Sequence, residues 1–374
     1  MAQLTYCGNV HPTQCFGDLL SHLNGPSSEV AKAFGASEGN FPLGLWLPRS
    51  AIVEAQGKVE TLRRQLEVNG LSVATFNAFP MDVFHGQEVK DGVYRPDWGE
   101  KARLEYTIAI GELAAGLGLE DVSISTVSGG FRLNDNEEKV TTYLEHWLAF
   151  VAWARGEEER SGCCVRLALE PEPFNTMEDH RDAMAIWPRL REKADLLGID
   201  QHSLDRHLGL CFDTCHFSVR FVEPLKAWLE LEKAGVSVHK VQVSVAPRGV
   251  GAEGLEALLS LDEPVYLHQT YHRDTEGTLR EYLDLKFIDS DIESEGEWRT
   301  HFHVPIHWGE RPDTTGYELI PLLEHFGRCG SPLLEVETYS FDALPGSKKV
   351  ESLTGSIVEE LRWCREILER GKVD

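Results

Sequence analysis

The stretch VRLALEPEP (165–173) decides how the rest of this chain is read. A short run rich in branched apolar residues ends in Glu170-Pro171-Glu172-Pro173. A run of this kind suits a parallel strand buried on both faces. The same design recurs in LGLCFD (208–213), which leads into Thr214-Cys215-His216, and in PLLEVE (332–337), which leads into Thr338.

Five more runs share that character: LTYCGNV (4–10), PLGLWLP (42–48), LSVATFNA (71–78), EDVSIST (120–126) and VHKVQVS (238–244). The intervals between them carry helical patterns. Ile52, Ala55, Val59, Leu62 and Leu66 recur at three- and four-residue spacing, which predicts one helix capped by Ser50 and closed by Gly70. Val140, Leu144, Trp147, Leu148 and Val151 form a second stripe, and Ile357, Leu361, Cys364 and Leu368 a third. Repeated strand–helix units imply a parallel sheet, and eight strands imply closure into a (β/α)8 barrel of the α/β class. A doubly wound open sheet is the rival, but no GxGxxG follows an early strand.

The 374 residues are read as a single barrel domain, 1–374, with an insertion at approximately 245–331. That insertion contains YLHQTYH (266–272) and THFHVPIHW (300–308), and is expected to form an elaborated loop or hairpin near the barrel mouth. With 36 Lys+Arg against 61 Asp+Glu, the net charge of −25 repels phosphate backbones and anionic lipid heads, so nucleic acid is not expected as a partner. The eight cysteines form no CxxC pair and no zinc-finger spacing, which suits reduced thiols in a cytoplasmic protein. No basic segment followed by an apolar stretch opens the chain, and no run approaches the ~20 residues of a membrane span, so no membrane insertion is expected.

Function in such a barrel collects where strands end. The first strand leads to Asn9 and His11, the third carries Asn77 and precedes His85, the fourth ends in Ser123 and Ser125, and the seventh carries Gln242 and Ser244. Glu170, Asp213 and Glu337 bring carboxylates to three strand ends, with His216 beside one of them. Converging carboxylates repel one another and resist burial, and a divalent cation removes that conflict. Two Glu, one Asp and a His or amide suit Mg²⁺, Mn²⁺ or Zn²⁺.

Plainer readings exist. Glu170 alone is equally a salt-bridged strand end; Asp213 with His216 can be a helix cap with a chance histidine, but the functional reading of that pair is favoured. Glu335 shares a face with Glu337 and is read as its support or as an ion-paired neighbour. His301 and His303 share a face if HFHVP is extended, and with His268 they can complete a metal shell or touch a polyhydroxylated ligand. Trp98 and Trp308 can stack on a sugar face or simply pack. Tyr94-Arg95-Pro96-Asp97-Trp98 can close over a ligand or start a helix capped at Asp97.

LALEP, CFDTCH and LEVET, in this order and spacing, resemble the xylose-isomerase-like barrel superfamily, which includes sugar isomerases, ketose epimerases and an endonuclease branch. LTYCGNVHP (4–12), FNAFPMDVFHG (76–86), VYRPDW (93–98), SISTVSGGF (123–131) and EWRTHFHVP (297–305) add a closer resemblance to the metabolite-traffic EboE family, tied to export of secondary-metabolite precursors. The superfamily resemblance implies Glu170, Asp213 and Glu337 as metal ligands, and His216 as metal or substrate ligand. Its isomerases and epimerases offer a histidine on the seventh strand. Here Gln242 stands in that region, so the shell is completed by the Gln242 carbonyl oxygen, by His303 or by His268.

The resulting expectation is a metal-dependent isomerase or epimerase of a sugar or cyclitol, with Glu170 and Glu337 as proton-transfer bases. His216, His11, Asn77, His85, Glu172, His268, His301, Glu335 and Trp308 are the substrate-side candidates. A carrier that binds the same metabolite and passes it to a membrane-protein partner is the second expectation. A metal-dependent phosphodiesterase is the third, disfavoured by charge.

Overall fold

The computed structural model describes residues 3–35, 40–82, 90–289, 292, 295–344 and 352–372. Eight parallel strands make the barrel: β1 (Leu4–Tyr6), β2 (Phe41–Trp46), β3 (Leu71–Asn77), β4 (Asp121–Val127), β5 (Cys164–Glu170), β6 (Leu208–Asp213), β7 (Val238–Val243) and, beyond four strands of a second sheet, β12 (Leu333–Val336). Those four are β8 (Arg248–Val250), β9 (Thr270–Arg273), β10 (Leu279–Tyr282) and β11 (Glu297–Thr300). The barrel order is β1-β12-β7-β6-β5-β4-β3-β2. A parallel bridge between Cys7 and Gly44 brings β1 to β2, and Thr5 Oγ1 donates to the Pro42 carbonyl at 2.7 Å. The sheet is thereby nearly closed, the (β/α)8 architecture expected from the strand rhythm.

The helices are α1 (Phe16–His22), α2 (Ser28–Phe34), α3 (Arg49–Gln56), α4 (Val59–Val68), α5 (Lys101–Gly116), α6 (Glu137–Ser161), α7 (His180–Leu196), α8 (Gln201–His207), α9 (Thr214–Val219), α10 (Pro224–Ala234), α11 (Gly251–Leu259), α12 (Gly316–Cys329) and α13 (Leu353–Gly371). The helix expected across 52–66 is two. Gly57, a weak helix former, ends α3, and Lys58 adopts a non-helical φ of −135° before α4 begins. Ser50 caps neither, since Pro48 precedes α3 and the Ser50 hydroxyl donates to the Gln14 carbonyl at 3.1 Å. Nor does Asp97 cap α5, which starts at Lys101, because Asp97 instead binds Lys139 Nζ at 2.9 Å.

Alternation along the strands sorts the core. Leu167, Leu169, Leu210, Phe212, Val241, Val243, Leu334 and Val336 join the apolar layer under the helices. The opposite positions fill the barrel interior with small or polar groups. Thr75 Oγ1 meets Ser123 Oγ at 2.8 Å, and Lys240 Nζ reaches across to Ser125 Oγ at 2.9 Å. Gly44 is glycine for a spatial reason: a Cβ there would lie 1.8 Å from Glu335 Oε1.

The insertion is more than a hairpin. It builds an antiparallel sheet in the order β10-β9-β11-β8, followed by the barrel-covering α12. Within it, Gly249-Val250-Gly251-Ala252-Glu253-Gly254 has the glycine spacing of a dinucleotide fingerprint. The setting is wrong for one, because β8 pairs with antiparallel β11. A Cβ on Gly249 would lie 2.3 Å from the Gly254 carbonyl oxygen, so these glycines permit close strand–helix packing. No described helix is long and apolar enough to cross a membrane. All eight cysteines are free thiols.

Candidate metal centre

The end of β6 sets the centre. Asp213 caps α9 with one oxygen only: Oδ1 accepts from the amides of Cys215 (2.8 Å) and His216 (3.1 Å) and from Ser244 Oγ (2.7 Å). Oδ2 has no hydrogen-bond partner among the described residues and lies 4.0 Å from His303 Nε2. The cap therefore occupies one oxygen and leaves the other available to a ligand.

Glu170 at the end of β5 and Glu337 just beyond β12 join it, and one oxygen from each carboxylate lies within 4.8 Å of the others. Glu170 Oε2 has no partner among the described residues. Glu337 Oε1 accepts from Asn9 Nδ2 (2.8 Å) and Asn77 Nδ2 (3.3 Å). Neutral amides orient a carboxylate without cancelling its charge. Burial, together with the neighbouring Glu337 and Asp213, pushes the Glu170 carboxyl well above the usual range. Burial and the neighbouring Asp213 and Glu335 do the same to Glu337. Burial also works against an ionised Asp213, but His216, His303 and the Ser244 bond outweigh it and hold that group low. The three carboxylates thus oppose one another's ionisation, a conflict that a divalent cation among them would relieve.

His303, just beyond β11, places an imidazole beside Asp213 and Glu337. Its Nδ1 donates to the Glu337 carbonyl oxygen at 2.9 Å, which leaves the Nε2 lone pair directed toward Asp213. Burial pushes His303 down to about 4, so the ring is neutral and able to ligate at neutral pH. Gln242 is placed differently: its Oε1 accepts from the Cys211 thiol at 3.0 Å. The donor set, with buried oxygens and a ring nitrogen lacking protein partners, fits a divalent cation.

Above the carboxylates lies a pocket lined by Asn9, Asn77, Glu170, Glu172, His216, His301 and Glu337 on its polar side. Phe79, Tyr94, Tyr266 and Tyr339 form aromatic walls. Tyr94 hydroxyl donates to Glu172 Oε1 at 3.1 Å, and burial pushes the Glu172 carboxyl up to about 7. Lys90 also faces the pocket, but its ammonium is held by Asp284 at 2.9 Å.

Other candidates from the sequence lie elsewhere. His11 contacts Tyr6 hydroxyl at 3.0 Å and stacks on His22. His268 bonds Glu263 at 3.1 Å and the His301 carbonyl at 3.2 Å, bracing the segment that carries His301. Trp308 packs under the Arg311 guanidinium, and Trp98 donates to the Val127 carbonyl at 2.8 Å inside the core. Glu335 pairs with Lys240 at 2.6 Å in the barrel interior. His85 lies outside the described residues. Sequence reasoning passed over Lys240, Gln269 and Tyr339. For Lys240 the signal was present, since it alternates with Gln242 and Ser244 on one strand face.

Neither a family model nor a curated protein matches this sequence. Solved structures do. D-psicose 3-epimerase in the presence of D-fructose is 12% identical, covers 100% of both chains and has a TM-score of 0.52. A xylose isomerase domain protein from Alicyclobacillus acidocaldarius subsp. acidocaldarius is 13% identical over 100% of both chains, TM-score 0.52. IolI protein with a bound zinc atom is 10% identical over 99% of both chains, TM-score 0.51. At these identities the likeness is one of fold: a (β/α)8 barrel.

Proposed function

We propose that this chain is a divalent-metal-dependent isomerase or epimerase acting on a small polar metabolite of the sugar or cyclitol type. One observation carries the reading: three buried carboxylates from separate strand ends converge beside Nε2 of His303, and that nitrogen and an oxygen on two of the carboxylates have no hydrogen-bond partner among the described residues. Glu170, Asp213, Glu337 and His303 would hold the cation. Such a cation polarises a carbonyl and acidifies the adjacent C–H.

The protein's own groups do the rest. Glu170 and Glu337 come from strands separated by β6 and β7, so one can take a proton from carbon while the other returns it. Asn9 and Asn77 hold the Glu337 carboxylate by Oε1. The aromatic walls exclude water and suit the apolar face of a sugar ring. The names of the epimerase and zinc-bearing neighbours are consistent with this chemistry.

A second reading is a metabolite-binding and traffic role, as the EboE-family resemblance implies, with a membrane-protein partner receiving the ligand. It is favoured by Gln242, whose oxygen is engaged by Cys211.

The test is Asp213→Asn. Metal content measured by mass spectrometry should fall, and turnover across a panel of ketoses and cyclitols should vanish. Full activity in a metal-free variant would overturn the mechanism, and wild-type protein that binds such ligands without ever converting them would favour the carrier.

A further inference from the structure

Just outside the carboxylate centre, the hydrogen bonds fix which nitrogen of each of two histidines carries its proton. Gln269 Nε2 lies 3.3 Å from Glu172 Oε1 and 3.2 Å from the Pro173 carbonyl, and both of those groups accept when Glu172 is ionised. The amide nitrogen must therefore face them, with Tyr94 hydroxyl at 2.7 Å as a further partner. That orientation directs Gln269 Oε1 at His301 Nδ1, 2.7 Å away, so Nδ1 donates. His216 Nδ1 lies 2.9 Å from the Pro171 carbonyl and donates as well. Each ring is left with a lone pair on Nε2, and these two nitrogens lie 3.1 Å apart.

Two acceptors at that distance repel. The contact becomes favourable when a cation takes both lone pairs. A tetrahedral metal at about 2.0–2.1 Å from each nitrogen sets them roughly 3.3 Å apart. The third donor is at hand. Glu172 is buried at 4% exposure, and its Oε2 has no partner among the described residues. One donor atom from each of Glu172, His216 and His301 lies within 4.8 Å of the others. The Tyr339 hydroxyl stands 3.5 Å from His301 Nε2, too long for a strong bond.

We propose that Glu172, His216 and His301 form a second divalent-cation site, beside the one held by Glu170, Asp213, Glu337 and His303. The proposal rests on the reading of the barrel mouth as a metal centre and extends it. Two imidazoles and a carboxylate favour zinc or a similar borderline ion over magnesium. Pro171 carbonyl and Gln269 play the orienting part that outer partners of ligating histidines usually play. All three ligands line the pocket, so the fourth position faces the metabolite. Asp213 stands between the sites, with Oδ1 3.9 Å from His216 Nε2 and Oδ2 facing His303. His301 and His303, two residues apart, thus serve different ions.

The full chain, stripped with chelator and titrated with Zn²⁺ and separately with Co²⁺, tests this. Wild type should take up two equivalents. His301→Ala and Glu172→Gln should each take up one, with a folded circular-dichroism spectrum, and the near-isosteric Glu172→Gln covers the case in which His301→Ala fails to fold. Asp213→Asn should lose the equivalent that these variants keep. One equivalent in wild type, undiminished in His301→Ala and Glu172→Gln, would overturn the second site and mean that His216 and His301 share a proton; loss of that equivalent in Asp213→Asn would leave the carboxylate centre standing. Metal uptake lost in His301→Ala but unchanged in Asp213→Asn would instead remove the carboxylate reading.

Discussion

Glu335 and Glu337 lie two residues apart on one face of the last barrel segment, and both are buried. Their surroundings differ. Glu335, in the lower layer, meets Lys240 Nζ at 2.6 Å, and the same ammonium donates to Ser125. Burial opposes the charge on Lys240, but Glu335 and the nearby Cys211 and Cys7 thiols raise its pKa overall. Glu337, in the upper layer, meets the amides of Asn9 and Asn77 and two other carboxylates. The protein supplies its own cation to one layer and, among the described residues, none to the next. A buried charge without a partner is costly enough that the upper layer reads as built for an ion from outside.

The comparison breaks most visibly at Lys240. Lys240→Met should leave Glu335 buried and uncompensated, costing about 3–5 kcal/mol in urea unfolding. Lys240→Met with Glu335→Leu should recover most of that loss. A cost near zero for the single variant would mean that the lower layer is not held by its ion pair.

The upper layer sharpens the contrast through pH. In chelated protein, Glu172 moves from its ordinary 4.5 to about 7, so the folded state holds this proton more tightly than the unfolded one. Stability from this group is complete below about 4.5 and is lost as pH rises to about 7, by about 3 kcal/mol. Glu170 and Glu337 act in the same direction, with pKa values raised by burial and by the other carboxylates. His303, pushed down to about 4, works the other way over this window, so the test is the difference between two proteins that share it. Relative to chelated wild type, chelated Glu172→Gln should gain stability as pH rises from 5 to 7, and Zn²⁺ added to wild type should do the same. A Glu172→Gln profile parallel to that of wild type would contradict the picture of an uncompensated upper layer.

The smallest effect belongs to the support of Asp213. Ser244→Ala removes the 2.7 Å bond to Oδ1 and should weaken metal affinity about tenfold in competition with a chromophoric chelator. An unchanged affinity would show that the Cys215 and His216 amides suffice to hold the carboxylate.

Much of this was legible in the chain. The eight barrel strands fall on the eight apolar runs, because strands buried on both faces must be apolar along their length. The polar strand ends stand out against that background, so Glu170, Asp213 and Glu337 were visible from sequence. Helix boundaries were less so: periodicity runs through Gly57, yet the helix does not.

Partnership is where sequence stopped and tertiary structure began. The alternation of Lys240, Gln242 and Ser244, and of Glu335 and Glu337, follows from the two-residue period of a strand. Which residue meets which follows from β7 and β12 lying side by side, with Glu335 opposite Gln242 across some ninety residues of intervening chain. The insertion then folds back so that His303 faces Asp213 and His301 faces His216. A side chain's direction is local, but its neighbour is set by barrel closure, and charge compensation depends on the neighbour.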